Sequence, residues 1–151
     1  MTHRHRELWK CPRCGHRFVT RNLWHSCVRV RVADHFRAKA PALRSVFQTL
    51  RTVVRSCGPA TCYAQKTRIV FQARVRFAGV VARRQWLEFG LWLRRAVTHP
   101  ALVRVESFGR LGFGHYFRLR APADIDDALK ALIAEAYTAA HAGPATRRTG
   151  T

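Results

Sequence analysis

Three cysteines and a histidine crowd the start of this chain, at Cys11, Cys14, His25 and Cys27 of CPRCGHRFVTRNLWHSC. A C-x2-C pair offers two thiolates to one ion from a tight turn. Gly15 permits the positive φ that turns backbone amides toward sulfur. His25 and Cys27, one residue apart, can point the same way from an extended segment. Three thiolates and an imidazole close a tetrahedral shell, which is the structural rather than the catalytic kind of Zn2+ site. His16, beside the second cysteine, competes for the fourth position; the spacing to Cys27 favours His25. A redox C-x-x-C would need a thioredoxin-like βαβ pattern, and none surrounds it. About thirty residues cannot bury enough surface to fold alone, and metal binding supplies the deficit. Phe18 and Trp24 are candidates to cap the site.

Elsewhere no arrangement points to a reaction. There is no phosphate-binding G-x-x-x-x-G-K-[ST] loop, no nucleophile elbow, no H-E-x-x-H and no paired carboxylates. The polar residues with any capacity for chemistry are His35, Lys66, Arg74, Arg94, Arg95, His99, Glu106, His115 and Arg118. His115 shares the parity of Phe117 and Leu119, which points it inward. Glu106 reads as a structural partner of Arg104 or Arg118. Cys57 and Cys62 read as packing residues. No residue is assigned to catalysis.

Charge sets the wider expectation. The 151 residues carry 28 Lys and Arg against 8 Asp and Glu, a net charge of +20. Such a field draws phosphates and nucleic acid. Arginine dominates, and its planar fork grips phosphate in two places. A GC-rich genome would also write arginine, but it would not remove carboxylates. No apolar run reaches the ~20 residues of a membrane span. The first ten residues lack the apolar centre of a secretory signal. A cytoplasmic, reducing location is expected, where paired cysteines favour metal over disulfide.

The elements that must position these residues follow from periodicity. Val28, Val30 and Val32 alternate with arginines as a short strand. Residues 42–55 form an amphipathic helix through Leu43, Val46, Phe47, Leu50, Val53 and Val54. Cys57-Gly58-Pro59 ends it. The stretch 66–82 alternates as a strand, with Ile69, Phe71, Ala73, Val75 and Phe77 on one face and Arg68, Gln72, Arg74 and Arg76 on the other. Leu87, Phe89, Leu91 and Leu93 alternate against Trp86, Glu88, Trp92 and Arg94. Val103 and Val105 are expected inward on the next strand, and the glycine-rich GRLGFG turn leads into HYFRLR. Asp124 is the expected N-cap of a final helix whose apolar stripe runs from Ile125 to Ala140.

The fold class is therefore α+β: an antiparallel meander of four to five strands with two helices on one face, preceded by the zinc segment. The expected boundaries are 1–32 for that segment, 33–141 for the domain and 142–151 for a disordered tail. The uncovered sheet face carries the candidate anion or nucleic-acid residues Arg68, Arg74, Arg76, Trp86, Trp92, Arg94 and Arg118, with Lys66 and His115 added. Basic and aromatic side chains on an open sheet suit single strands, DNA or RNA. Tryptophans packed against the zinc segment are the competing reading. Two other functions stay open: a small-anion pocket built from Lys66, Arg94, Arg118 and His115, and an adaptor for an acidic protein.

Taken together, CPRCGHRF, NLWHSC, HFRAKAP, KTRIVFQARVRFAGV, LRRAVTHP, RVESF, HYFRLRAPADID and EAY resemble an uncharacterised bacterial family, domain of unknown function 5655. The resemblance spans nearly the whole chain apart from its tails. It implies a small α+β domain, sometimes preceded by a zinc-binding segment, with no established activity. Ala38 stands where a glycine is expected of that family, at a tight turn.

Overall fold

A computed structural model describes residues 7–24 and 30–142. Strand β1 (Trp9–Lys10) pairs with β2 (Arg17–Phe18) as a small antiparallel hairpin around the first two cysteines. Val32–Phe36 is a 3-10 helix rather than the end of a strand, and residues 28 and 29 lie outside the described residues.

Helix α1 (Ala42–Cys57) forms where the 3.6-residue stripe predicts it, burying Leu43, Val46, Phe47, Leu50 and Val54. Ahead of it Ala38 takes φ 55°, the left-handed region expected of a glycine. The turn forms without one, and the side chain is strained against its own carbonyl. Ala38→Gly should therefore stabilise the fold by about 1 kcal/mol, read as a higher urea midpoint at unchanged m-value.

The sheet has six antiparallel strands, not four or five. They are β3 (Thr61–Ala64), β4 (Ile69–Gln72), β5 (Arg76–Ala82), β6 (Leu87–Leu93), β7 (Leu102–Ser107) and β8 (Phe113–Leu119), in the order β3-β4-β5-β6-β8-β7. Two corrections follow. The alternating stretch over 66–82 is a hairpin, β4 and β5, which turns at residues 73–75, where the Ala73 amide donates to the Val75 carbonyl at 3.1 Å. The order is also not a plain meander, because β8 returns between β6 and β7. Residues 94–101 carry the chain past that position. This connection is tied to helix α2 (Asp127–Ala142) by Arg95 with Glu135 at 2.8 Å and His99 with Asp126 at 2.9 Å.

Both helices cover one face of the sheet. Ile69, Phe71, Val80, Leu87, Phe89, Leu91, Leu93, Phe117 and Leu119 pack there with the buried faces of α1 and α2. Asp126, rather than Asp124, caps α2 by accepting from the Leu129 amide at 2.8 Å. Asp124 instead accepts from the Arg120 and Ala121 amides, closing the preceding turn. Val103 and Val105 are not inward: they are 59% and 40% exposed. A register shift between Leu102 and Arg104 displaces Val103, and edge strand β7 runs out beyond the helices.

Candidate nucleic-acid interface

The face away from the helices is crossed by one row of paired residues: Tyr63, Val70, Gly79, Gly90, Tyr116 and Arg104, from β3 to β7 in sheet order. Two glycines in succession leave its middle without side chains. A methyl added at Gly90 would lie 3.4 Å from the Tyr116 ring, and one at Gly114 would lie 3.0 Å from Phe108 and 3.3 Å from the Tyr116 hydroxyl. The glycines therefore let the Tyr116 ring lie close over the strands. The outcome is a depression of about 390 Å³ with a backbone floor, rimmed by Arg68, Arg76, Arg83, Arg104, Trp92 and Phe108. A second hollow of about 510 Å³ adjoins it and shares Arg83, Glu88, Arg104 and Tyr116.

Cations and aromatics are stacked on this face. Arg104 lies over the Tyr116 ring at 4.1 Å, and Arg118 over Trp86 at 4.3 Å with Arg120 at 5.9 Å. Arg83 is paired with Glu88 at 2.7 Å. Glu106 does not pair with Arg104 or Arg118; it accepts from the Tyr116 hydroxyl at 3.3 Å. Burial first, and then the Glu106 carboxylate, hold the Tyr116 phenol above its ordinary pKa, so it stays a neutral donor.

The cysteine hairpin closes one end of the face. Its Phe18 is buried and sits under the Arg76 guanidinium at 4.6 Å. Arg76 also lies 5.7 Å from the Tyr63 ring, and His16 packs on Tyr63 at 4.5 Å. Among the described residues the segment thus docks through Tyr63 and Arg76. Within it the Gly15 amide donates to the Cys11 carbonyl and the Cys11 amide to the His16 carbonyl, both at 2.8 Å, with Gly15 at φ 77°. Gly15 thus takes the positive φ expected of it after the second cysteine. Two of the four expected ligands, His25 and Cys27, lie outside the described residues. Among the described residues no three His, Cys, Asp or Glu side chains gather as a metal site.

Of the residues singled out from sequence, Arg68, Arg76 and Trp92 line the depression, while Trp86 and Arg118 stand at the second hollow. Lys66 lies in the exposed β3–β4 turn, Arg74 in the β4–β5 turn, and Arg94 just beyond β6; none of these lines either hollow. His115 is a correction to the expected anion set. It is fully buried on the helix-side face, where its Nε2 accepts from the Val97 amide at 3.0 Å. The pocket expected of Lys66, Arg94, Arg118 and His115 is therefore not assembled. Arg83, Arg104, Arg120 and Tyr116 belong to this face and are not among the site residues expected from sequence. Tyr116 shares the parity of Arg118, which is visible in HYFRLR; the neighbours that strand pairing gives it are not.

His35, His99 and the thiols of Cys57 and Cys62 are engaged in the fold. His99 accepts from the Ala101 amide through Nδ1 at 3.0 Å and meets Asp126 through Nε2. The His35 Nε2 lies 2.8 Å from the Gln65 carbonyl. Burial raises both the Cys57 and Cys62 thiols, which disfavours the nucleophilic thiolate. Burial also holds the His115 pKa below its ordinary 6.5. Between the folded and unfolded values the unfolded chain binds the proton and the folded chain does not, so stability falls as pH drops below about 6.5. H115Q keeps a polar side chain in place of the titrating ring. Its thermal midpoint should fall less than that of the parent protein between about pH 7 and pH 5.

Residues 32–140 match the family model described as domain of unknown function (DUF5655), and the chain belongs to that family. The match begins after the cysteine segment. No curated protein and no solved structure matches the chain. No described helix is long and apolar enough to cross a membrane.

Proposed function

We propose that this DUF5655 chain binds single-stranded nucleic acid on its open sheet face, without turnover, and that its N-terminal hairpin is held by a structural Zn2+ on Cys11, Cys14, His25 and Cys27. The observation that carries this reading is the pairing of arginines with aromatic rings on a face that no described helix covers: Arg104 on Tyr116, and Arg118 and Arg120 on Trp86. Bases stack on aromatic rings whatever their sequence, while arginines beside them meet the backbone phosphates. The same +20 charge that brings a strand to the protein makes its affinity fall with salt.

The depression of about 390 Å³ favours one alternative, a small anionic ligand held by Arg68, Arg76 and Arg104. Salt separates the two. A strand touching several phosphates loses affinity along a log–log slope of about −0.7 for each contact. A single small anion shows saturable binding with a shallow slope. Purified under nuclease, the protein should carry about one zinc per chain, lost in C11S, and bind a fluorescent single strand with a slope steeper than about −2. A shallow slope, with binding competed by a mononucleotide, would move the reading to the small anion.

A further inference from the structure

The open face carries one carboxylate that its charge balance does not explain. Only eight acids stand against 28 cations in the chain. Of the acids on this face, Glu88 is paired with Arg83. Glu106 is exposed, and no ion pair joins it to a described cation, although Arg104 is two residues away. Arg104 lies over the Tyr116 ring instead. The carboxylate is held at the rim of that ring by one bond from the Tyr116 hydroxyl to Oε2. An ionised carboxylate has about four acceptor sites, so most of its capacity stays open to solvent.

From this arrangement we propose that Tyr116, Arg104 and Glu106 form a base-reading subsite, and that the base it selects is guanine. The inference rests on the single-strand reading above and deepens it. Gly90 and Gly114 let the Tyr116 ring lie against the strands, leaving its outer face to the planar guanidinium of Arg104. That guanidinium occupies the place a base would take. A base entering there stacks on Tyr116, and Arg104 moves to the base's outer face or to a flanking phosphate. The edge of the base directed at the tyrosine hydroxyl then meets the Glu106 carboxylate. Guanine presents two adjacent N–H donors on its Watson–Crick edge, matching two carboxylate oxygens. Adenine and cytosine present one amino group each beside a bare ring nitrogen. Thymine and uracil present a single N–H there, flanked on both sides by carbonyl oxygens that the carboxylate repels. A base stacked there covers the carboxylate and displaces its water, so a base with fewer donors leaves acceptor sites unpaired and binds more weakly.

The test uses the full chain and three fluorescent hexanucleotides at ~150 mM salt: all-thymidine, the same strand with one central guanosine, and the same strand with one central abasic site. The guanosine strand should bind about tenfold tighter than the thymidine strand, and the abasic strand no better than thymidine. E106Q, a substitution at an exposed position, should bring the guanosine strand to the level of the thymidine strand, because the amide offers only one acceptor oxygen. Equal affinity for all three strands would overturn the base-reading subsite while leaving a backbone-binding face intact. A guanosine preference that survives E106Q would equally remove Glu106 as its reader. No binding to any of the three strands would overturn the single-strand reading itself.

Discussion

R104E/R118E should bind a single strand about a hundredfold more weakly than the parent protein at a fixed salt concentration. Each arginine lies over an aromatic ring of the open face, Tyr116 and Trp86 respectively. A base stacked on either ring would bring its phosphate within reach of the arginine. Losing a charge-assisted contact costs about 1.5 kcal/mol, and two such losses give roughly a hundredfold. Net charge alone does not separate this account from generic attraction, since a protein at +20 holds any polyanion. The control is R44E/R55E, which makes the same change in charge on exposed positions of α1. If the open face is the interface, that control loses only a few-fold through the weakened overall field. Equal losses in the two variants would mean that charge, and not this face, carries the binding. Fluorescence anisotropy with one labelled strand measures both.

Phe89→Ala should cost about 3–5 kcal/mol of stability, among the largest effects expected of a single change in the core. Phe89 has no exposure, sits at the middle of β6 opposite Val80 and Phe117, and lies 6.1 Å from the Phe117 ring. Helices α1 and α2 both pack on β6. Truncation leaves a void walled on two sides by strands and above by helices, which cannot collapse without moving the sheet. Val105→Ala on β7 is the contrast. Its side chain is 40% exposed and lies beyond the helices, so the cost should stay near 0.5 kcal/mol. Urea melts of the two variants read the difference directly. Similar costs would mean that β7 is covered in solution.

What the sequence made legible was what repeats within one element. The stripe from Leu43 to Val54 and the alternation from Leu87 to Leu93 each state a period and a buried face, and both stand in the structure. Alternation also misled. It continues unbroken through residues 73–75, so the β4–β5 hairpin reads as one strand, because a turn this tight leaves the period undisturbed. Strand β3 is four residues with one buried side chain, too short to announce itself. The return of β8 between β6 and β7 has no local signature, since consecutive strands are usually neighbours. The same missing pairing hid much of the site. Parity placed Arg68, Arg76, Trp86, Trp92 and Arg118 at or beside the open face. Only the register shows that two glycines are adjacent, that Tyr116 lies by them and that Arg104 covers it. The inward parity of His115 was readable and decisive, and it removes that residue from the anion set.

The most direct test of the open-face interface is a titration of isotope-labelled protein with a short single strand, following backbone amides and tryptophan indole signals. Binding on the open face should concentrate the shifts on Gly79, Gly90, Gly114, Tyr116 and Arg118 and on the indoles of Trp86 and Trp92, with α1 and α2 largely still. Shifts concentrated on the helices, or spread evenly over every basic surface, would contradict it.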